Sequence, residues 1–124
     1  MPAHPSANLR TLAFVGHAGV GKTTLIEALL AANGTLTSPG TIERGSTVSD
    51  FDGSEKERGH SIDAALASIV HAAGGQPLIH VNLIDTPGYP DFRGPTLSAL
   101  AAVETLAVIV DADTGIGYGT RRMM

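Results

Sequence analysis

Thr11-Leu-Ala-Phe-Val-Gly-His-Ala-Gly-Val-Gly-Lys-Thr23 is the stretch of this sequence that decides its fold. It opens with a compact apolar run that stops at Gly16, which is typical of a short buried strand. Asn33-Gly34 supplies a helix stop further along, because glycine readily takes the left-handed conformation that ends helices. Between these points the apolar residues follow a helical period from Lys22 onwards, at Leu25, Ala28, Leu29 and Ala32. The sequence therefore predicts a strand, a glycine-rich turn and a helix in direct succession.

The turn between this strand and this helix has the pattern G-x-x-x-x-G-K-[ST], which ends in Gly21, Lys22 and Thr23. Glycine lets the backbone turn with positive φ and approach a phosphate closely. The N–H groups of such a loop and the N-terminus of the helix behind it together bind anions. The lysine of the pattern reaches the β and γ phosphates, and the hydroxyl group binds Mg²⁺. The motif therefore predicts a phosphate-binding loop for a nucleotide.

The composition of the chain narrows the class of protein further. It has 124 residues, a formal net charge of −4 and no cysteine, and 43% of its residues are hydrophobic. This length supports one domain, and the apolar fraction excludes general disorder. The acidic balance excludes a broad basic surface, so we expect no direct DNA binding. The absence of cysteine excludes disulfides and fits a cytoplasmic protein. We expect no membrane span, since no stretch offers roughly 20 predominantly apolar residues.

Two apolar segments follow the first helix after a long irregular stretch. Residues 34–59 follow neither the helical nor the strand period, and loops of this length are usually either functional or disordered. Ser61–Val70 and Leu78–Ile84 are each apolar, and only a short glycine-containing gap separates them. Because that gap is too short for a helical crossover, the two segments are predicted to form an antiparallel hairpin.

The remainder of the chain predicts one more helix and one more strand. Pro95 fits the first turn of a helix, and Leu106–Val110 is a short apolar strand. Four residues of this helix have i, i+3, i+4, i+7 spacing and are predicted to share its inward face: Leu97, Leu100, Ala101 and Glu104. Alternating strands and helices imply an α/β fold with a mostly parallel sheet and one antiparallel hairpin. We also expect a flexible tail over residues 1–8 and a C-terminally truncated domain over 9–124, since the last residues resemble the start of an uncompleted helix.

Asp85-Thr-Pro-Gly88 follows the second strand of the predicted hairpin. An acidic residue at the carboxyl end of a strand beside a phosphate loop can hold Mg²⁺ through water, and a glycine N–H can meet a γ-phosphate. The four residues taken alone also fit an ordinary turn. Their position directly after an apolar strand, downstream of a phosphate loop, favours the functional interpretation.

Three segments of the sequence together resemble the GTP-binding domain of translational GTPases, and in particular elongation factor G and its elongation-factor-G-like relatives. They are GHAGVGKTTL at 16–25, ERGHSI at 57–62 and NLIDTPGYPDF at 82–92. The resemblance extends from about Leu9 to the end of the chain. It implies the three-layer P-loop NTPase fold and a GTPase that binds GTP or GDP with Mg²⁺. It also implies that a longer parent protein acts on the ribosome, and we expect a monomer.

The resemblance assigns roles to particular residues. It implies that 34–60 is the first switch and 85–94 the second, the segments that respond to the γ-phosphate. The implied catalytic residues are Lys22, Gly88 and Tyr89, and the implied metal ligands are Thr23, Ser61 and Asp85. The nucleotide-binding set is Gly16, His17, Ala18, Gly19, Val20, Gly21, Lys22, Thr23, Thr24, Asp85, Thr86, Pro87 and Gly88.

The sequence departs from the family pattern at three points. Ser61 stands where relatives usually carry threonine, and its hydroxyl keeps the chemistry needed to bind Mg²⁺. Tyr89 stands where elongation factors usually carry a histidine that orients the attacking water. Tyrosine, with a pKa near 10, is a poor base at neutral pH, so it would either position water or pack away from the phosphate. The N-K-x-D and S-A boxes that recognise guanine are absent from these residues, so guanine specificity follows from the resemblance alone.

Two alternative functions remain open at this level. A P-loop ATPase or kinase would use Asp111, at the end of the last strand, as its magnesium-linked acid. A truncated chain could also keep the loop as a catalytically inactive fragment. Other candidates are weaker. Arg58 could contact phosphate from the first switch, but it belongs to a charge cluster, 55–58, that favours a solvated surface. The five histidines show no i, i+4 pair of the kind that binds metals.

Overall fold

The fold is described from a computed structural model, over residues 6–48, 64–72, 74, 78–88 and 93–123. As the sequence predicts, strands and helices alternate along the chain except where two strands follow each other directly. Short 3₁₀ turns lie at Ser6–Asn8 and Ile42–Arg44. In chain order the elements are β1 (Leu9–Val15), α1 (Lys22–Ala32), β2 (Ala65–His71), β3 (Ile79–Asp85), α2 (Arg93–Ala101), β4 (Thr105–Val108) and α3 (Tyr118–Met123).

The four strands form one mixed sheet in the order β2-β3-β1-β4. β1 pairs in parallel with β3 on one side and with β4 on the other. β2 and β3 pair in an antiparallel ladder from Ala65↔Asp85 to His71↔Ile79, which confirms the predicted hairpin. Parallel pairing brings the carboxyl ends of β1, β3 and β4 to the same edge of the sheet. That edge carries the phosphate-loop motif and the Asp85-Thr-Pro-Gly88 motif.

The hydrophobic core lies between α1 and one face of the sheet. Its buried members are Phe14, Ile26, Leu30 and Leu83. Side chains alternate between the faces of a strand, so Ala13 and Val15 belong to the opposite face of β1, and both are completely buried as well. α2 packs against β1. Both faces of the central strand are therefore covered, as an α/β fold requires.

The first helix ends where the sequence predicts. The Gly34 N–H donates to the Ala31 carbonyl at 3.0 Å and the Thr35 N–H donates to the Leu30 carbonyl at 2.9 Å, with Gly34 at φ 78°. These two bonds are the Schellman pattern, which satisfies carbonyl groups that the end of a helix leaves without partners.

The second helix differs from its prediction. It ends at Ala101, so Glu104 lies outside it, and the side chain of Leu97 is 64% exposed. The buried residues are instead Thr96 and Ala99. The Thr96 hydroxyl donates to the Pro87 carbonyl at 3.2 Å, and this polar contact turns a different face of the helix inwards from the one that apolar spacing predicts. β4 is also shorter than predicted, although the Ile109 N–H still donates to the Val15 carbonyl at 2.8 Å.

Candidate functional site

The phosphate-loop motif connects the end of β1 to the start of α1. Gly21 is the N-cap residue of α1 and has φ 91° and ψ 23°, a left-handed conformation that strongly favours glycine. No side chain among the described residues caps this helix. Because the first N–H groups of a helix have no partners within it, the start of α1 offers donors and a positive dipole end to an anion. The local backbone is therefore that of an anion-binding loop.

Lys22 directs its ammonium group into this loop. Its Nζ donates to the carbonyl oxygens of Gly16 and His17, each at 3.0 Å, and the side chain is only 6% exposed. Burial lowers the pKa of Lys22 from its ordinary value of 10.5, while the nearby charge of Asp85 acts in the opposite direction. A buried ammonium group within an anion-binding loop is well placed to meet a phosphate.

Thr23 and Asp85 form the next part of the site. The Thr23 hydroxyl donates to Oδ2 of Asp85 at 2.6 Å, which joins the first turn of α1 to the end of β3 across 62 residues of sequence. Both side chains are buried, with Asp85 only 2% exposed. A hydroxyl and a carboxylate are the hard oxygen ligands that Mg²⁺ prefers, so this pair fits the metal that the sequence predicts.

Gly88 lies directly against the phosphate loop. A Cβ atom at this position would lie 2.5 Å from the backbone nitrogen of Ala18 and 2.6 Å from Nζ of Lys22. Neither distance is sterically possible without movement of the backbone or of the lysine. The absence of a side chain is therefore what allows the segment after β3 to approach the loop so closely.

Two buried hydroxyl groups hold this segment in place. The Thr86 hydroxyl donates to the Phe14 carbonyl of β1 at 2.6 Å, and the Thr96 hydroxyl of α2 holds the carbonyl of Pro87. Thr86 is 1% exposed, so its hydroxyl is committed to the sheet. The segment from Asp85 to Gly88 is thus fixed on one side by β1 and on the other by α2.

Removing the Thr86 hydroxyl should measure the strength of this attachment. Thr86→Val keeps the side-chain shape but leaves the Phe14 carbonyl without this donor, so we expect the free energy of unfolding to fall by about 1–3 kcal/mol. Denaturant unfolding of the chain checks this value. Thr105→Val, at an exposed position of β4, is the matched control and should change stability by less than about 0.5 kcal/mol. Equal decreases in the free energy of unfolding for Thr86→Val and Thr105→Val would contradict a stabilising role for the Thr86 hydrogen bond.

The remaining predicted residues fall into two groups. His17 and Thr24 belong to the loop and the first turn of α1 but have exposed side chains, and the His17 ring Nδ1 lies 2.9 Å from the Ala18 carbonyl oxygen. Gly19 and Val20 lie between them in the loop. Ser61 and Tyr89 lie outside the described residues, as does Arg58, so their roles stay predictions.

The described hydrogen bonds of the Asp111 carboxylate are local ones, to the turn that follows it. Its Oδ1 accepts hydrogen bonds from the N–H groups of Asp113 at 2.8 Å and Thr114 at 2.9 Å, and these bonds lower the pKa of its carboxyl group. The carboxylate that contacts the Thr23 hydroxyl belongs to Asp85. The ATPase or kinase interpretation built on Asp111 therefore lacks structural support.

One buried acidic residue was not singled out by the sequence. Glu27 of α1 is completely buried and accepts two backbone hydrogen bonds from the segment that follows the helix. A signal for it exists, because Glu27 lies four residues after Thr23 and three before Leu30, on the buried stripe of the helix. Its two hydrogen-bond partners are distant in the sequence and are evident only in the fold.

The loop, the Thr23–Asp85 pair and the close approach of Gly88 define a P-loop nucleotide-binding domain of the GTPase type. Comparison with known families agrees, because the Elongation factor Tu GTP binding domain family matches residues 7–124. This chain belongs to that family of translational GTPase domains.

Sequence matches to individual proteins agree with this family. The chain is 40% identical over 125 residues to an elongation factor G-like protein of Mycobacterium tuberculosis, a match that covers 98% of this chain and 17% of that protein. It is 42% identical over 108 residues to elongation factor 2 of Archaeoglobus fulgidus, covering 87% of this chain and 14% of that protein. The chain thus spans about a sixth of the length of these curated relatives.

Solved structures share the fold. A crystal structure of a Thermus thermophilus protein superposes with a TM-score of 0.86 at 39% identity, covering 94% of this chain and 17% of that one. A bacterial selenocysteine-specific elongation factor superposes with a TM-score of 0.67 at 28% identity, covering 90% of this chain and 16% of that one. The predicted P-loop GTPase fold is therefore confirmed. Among the described residues, no helix has the length and apolar character needed to cross a membrane.

Proposed function

We propose that this chain binds GTP and GDP with Mg²⁺ and hydrolyses GTP as the switch domain of an elongation-factor-G-like protein. The observation that carries the proposal is the contact between Thr23 and Asp85 beside the buried Lys22 ammonium group. These three residues bring together the phosphate-binding and metal-binding groups that GTP hydrolysis requires. The family membership of the chain supports guanine as the base.

Each part of the site has a distinct proposed task. The loop N–H groups and Lys22 hold the β and γ phosphates, and the Gly88 N–H meets the γ-phosphate. Thr23 and Ser61 supply hydroxyl ligands for the metal, and Asp85 holds it through water. When bound, Mg²⁺ would neutralise the negative charge that develops on the phosphates. Tyr89 positions the attacking water by hydrogen bonding, and because it is a weak base we propose slow intrinsic turnover.

The wider role follows from the relatives and is proposed for the parent protein. An elongation factor G-like protein and an elongation factor 2 both match this chain, so we propose the ribosome as partner and the cytoplasm as location. We also propose that the chain is a monomer. Ordering of the two switches by the γ-phosphate, and their release on hydrolysis, would signal the nucleotide state to the rest of the protein.

Titration of the chain with fluorescent GDP and fluorescent ADP in the presence of Mg²⁺ tests the proposal. We expect saturable binding with a higher affinity for GDP than for ADP. The affinity for GDP should fall when EDTA removes the metal. A preference for ADP would contradict the elongation-factor interpretation. Binding of neither nucleotide would contradict nucleotide binding by these residues and would favour an inactive fragment.

A further inference from the structure

Glu27 is a charged residue in an unusual position. Its side chain is fully buried on α1, with 0% exposure. Oε2 accepts a hydrogen bond from the Gly40 N–H at 2.8 Å, and Oε1 accepts one from the Val48 N–H at 2.5 Å. Burial of a carboxyl group is costly unless its oxygens have donors. One side chain therefore ties both ends of a nine-residue segment, Gly40 to Val48, to the helix.

This segment, the 40–48 loop, is closed on itself. The Thr41 carbonyl accepts hydrogen bonds from the N–H groups of Arg44 and Ser46, each at 3.2 Å, and the Thr41 N–H donates to the Ser46 hydroxyl at 3.0 Å. Gly40 crosses the other end of the loop so closely that a Cβ would overlap the Ser46 carbonyl and lie 2.9 Å from the Cα of Thr47. The loop is a compact unit, and Glu27 attaches it to α1.

The attachment lies close to the phosphate site in the sequence and in the fold. Glu27 is four residues after Thr23, so the two side chains share a face of α1 one turn apart. Val48 leads into the residues that carry Ser61, which the sequence predicts as a metal ligand of the triphosphate state. The Glu27 carboxyl group therefore holds Val48, the last described residue before that stretch of sequence.

We propose that Glu27 is a positioning residue that fixes the 40–48 loop to the phosphate-loop helix and thereby supports recognition of the triphosphate. This inference rests on the proposed GTPase function. Contacts from the phosphate loop serve both nucleotides, whereas the first switch responds to the γ-phosphate. Loss of the attachment should therefore weaken binding of a triphosphate and leave diphosphate binding unchanged.

Two substitutions test the attachment from its two sides. Glu27→Gln replaces one acceptor oxygen by an amide nitrogen, so only one of the two backbone N–H groups keeps a partner. Val48→Pro leaves Glu27 intact and removes the Val48 N–H. Val48→Ala keeps that N–H and shortens a side chain that is 46% exposed, which makes it the matched control.

The readouts are amide hydrogen exchange and nucleotide affinity. In Glu27→Gln we expect at least one of the Gly40 and Val48 amides to exchange about tenfold or more faster, the size expected for losing one hydrogen bond to a charged group. In Val48→Pro the loop keeps only its Gly40 attachment, so opening the loop breaks one hydrogen bond fewer and the Gly40 amide should exchange faster by a similar factor. The amides of β1 and β3 should be unchanged in both variants. Affinity for a non-hydrolysable GTP analogue should fall by a similar factor, while GDP affinity stays at the level of the unmodified chain. Val48→Ala should change neither quantity.

The possible outcomes separate this inference from the proposed function. Unchanged exchange at both Gly40 and Val48 in Glu27→Gln, unchanged exchange at Gly40 in Val48→Pro, or equal losses of GDP and triphosphate affinity would each overturn the positioning role. Faster exchange throughout the sheet would also overturn it, since that pattern indicates general destabilisation. If the unmodified chain binds neither nucleotide, the proposed function and the nucleotide part of this inference both fail, and the exchange data still decide whether Glu27 holds the loop.

Discussion

Replacing Lys22 with alanine is expected to weaken binding of GDP with Mg²⁺ about 100-fold or more. The Lys22 ammonium group is buried inside the loop, where it donates to the Gly16 and His17 carbonyls. We propose that it also donates to a phosphate of bound GDP. Hydrogen bonds to a charged group contribute about 1.5–3 kcal/mol each, and a factor of 100 corresponds to about 2.8 kcal/mol, so the loss of the proposed phosphate contact accounts for this factor. Fluorescent GDP titration measures the affinity directly.

The control for this substitution must remove a positive charge elsewhere. Arg10→Ala does so on β1, where the Arg10 side chain is exposed and donates to the Ala7 and Leu9 carbonyls. It should leave GDP affinity within about threefold of the unmodified chain, because exposed charges contribute little at a distance. Near-equal affinities for Lys22→Ala and the unmodified chain would remove the lysine from the proposed site. Denaturant unfolding of both variants shows whether each is folded.

Gly88→Ala is expected to slow GTP hydrolysis about 100-fold and to weaken binding of a GTP analogue, with GDP affinity nearly unchanged. The added Cβ would overlap the Ala18 nitrogen and the Lys22 Nζ, so the segment after β3 must move away from the loop. Displacement of a reacting group by about 1 Å can cost a factor of about 100 in rate. The phosphate loop is held between β1 and α1, so we expect the segment after β3 to be the part that is displaced and GDP binding to change little.

Single-turnover hydrolysis and parallel titrations with GDP and the GTP analogue check this prediction. Gly94→Ala is the matched control, because a Cβ at Gly94 would have no neighbour within 4 Å. It should hydrolyse GTP at nearly the rate of the unmodified chain. If Gly88→Ala matched Gly94→Ala in both hydrolysis and analogue binding, the close approach of Gly88 would have no part in the function.

The sequence predicts the phosphate loop and its flanking strand and helix well because these elements are adjacent in the chain. The phosphate-loop motif joins β1 directly to α1, so spacing and period alone predict the strand, the loop and the helix. The antiparallel pairing of β2 with β3 also follows from a short gap. Local patterns of this kind are governed by neighbouring residues, which the sequence displays.

The features that the sequence does not predict depend on distant partners. α2 turns Thr96 inwards, where its hydroxyl donates to the Pro87 carbonyl, a contact that apolar spacing cannot indicate. The burial of Glu27 likewise depends on distant partners, since its carboxyl group accepts hydrogen bonds from backbone donors 13 and 21 residues away. Helical periodicity places Glu27 on the buried face but does not reveal what makes its burial tolerable.

The central place of β1 in the sheet has a consequence for how the protein is made. β1 is the first strand of the chain, yet its two neighbours, β3 and β4, are the last strands among the described residues. Pairings between segments so distant in sequence give a high contact order and form slowly. A nascent chain that ends before β4 lacks one side of the strand that leads into the phosphate loop, because Val15 pairs with Val108. The strand that leads into the phosphate loop is therefore made well before its second neighbour, and its pairing is complete only once β4 has also been made.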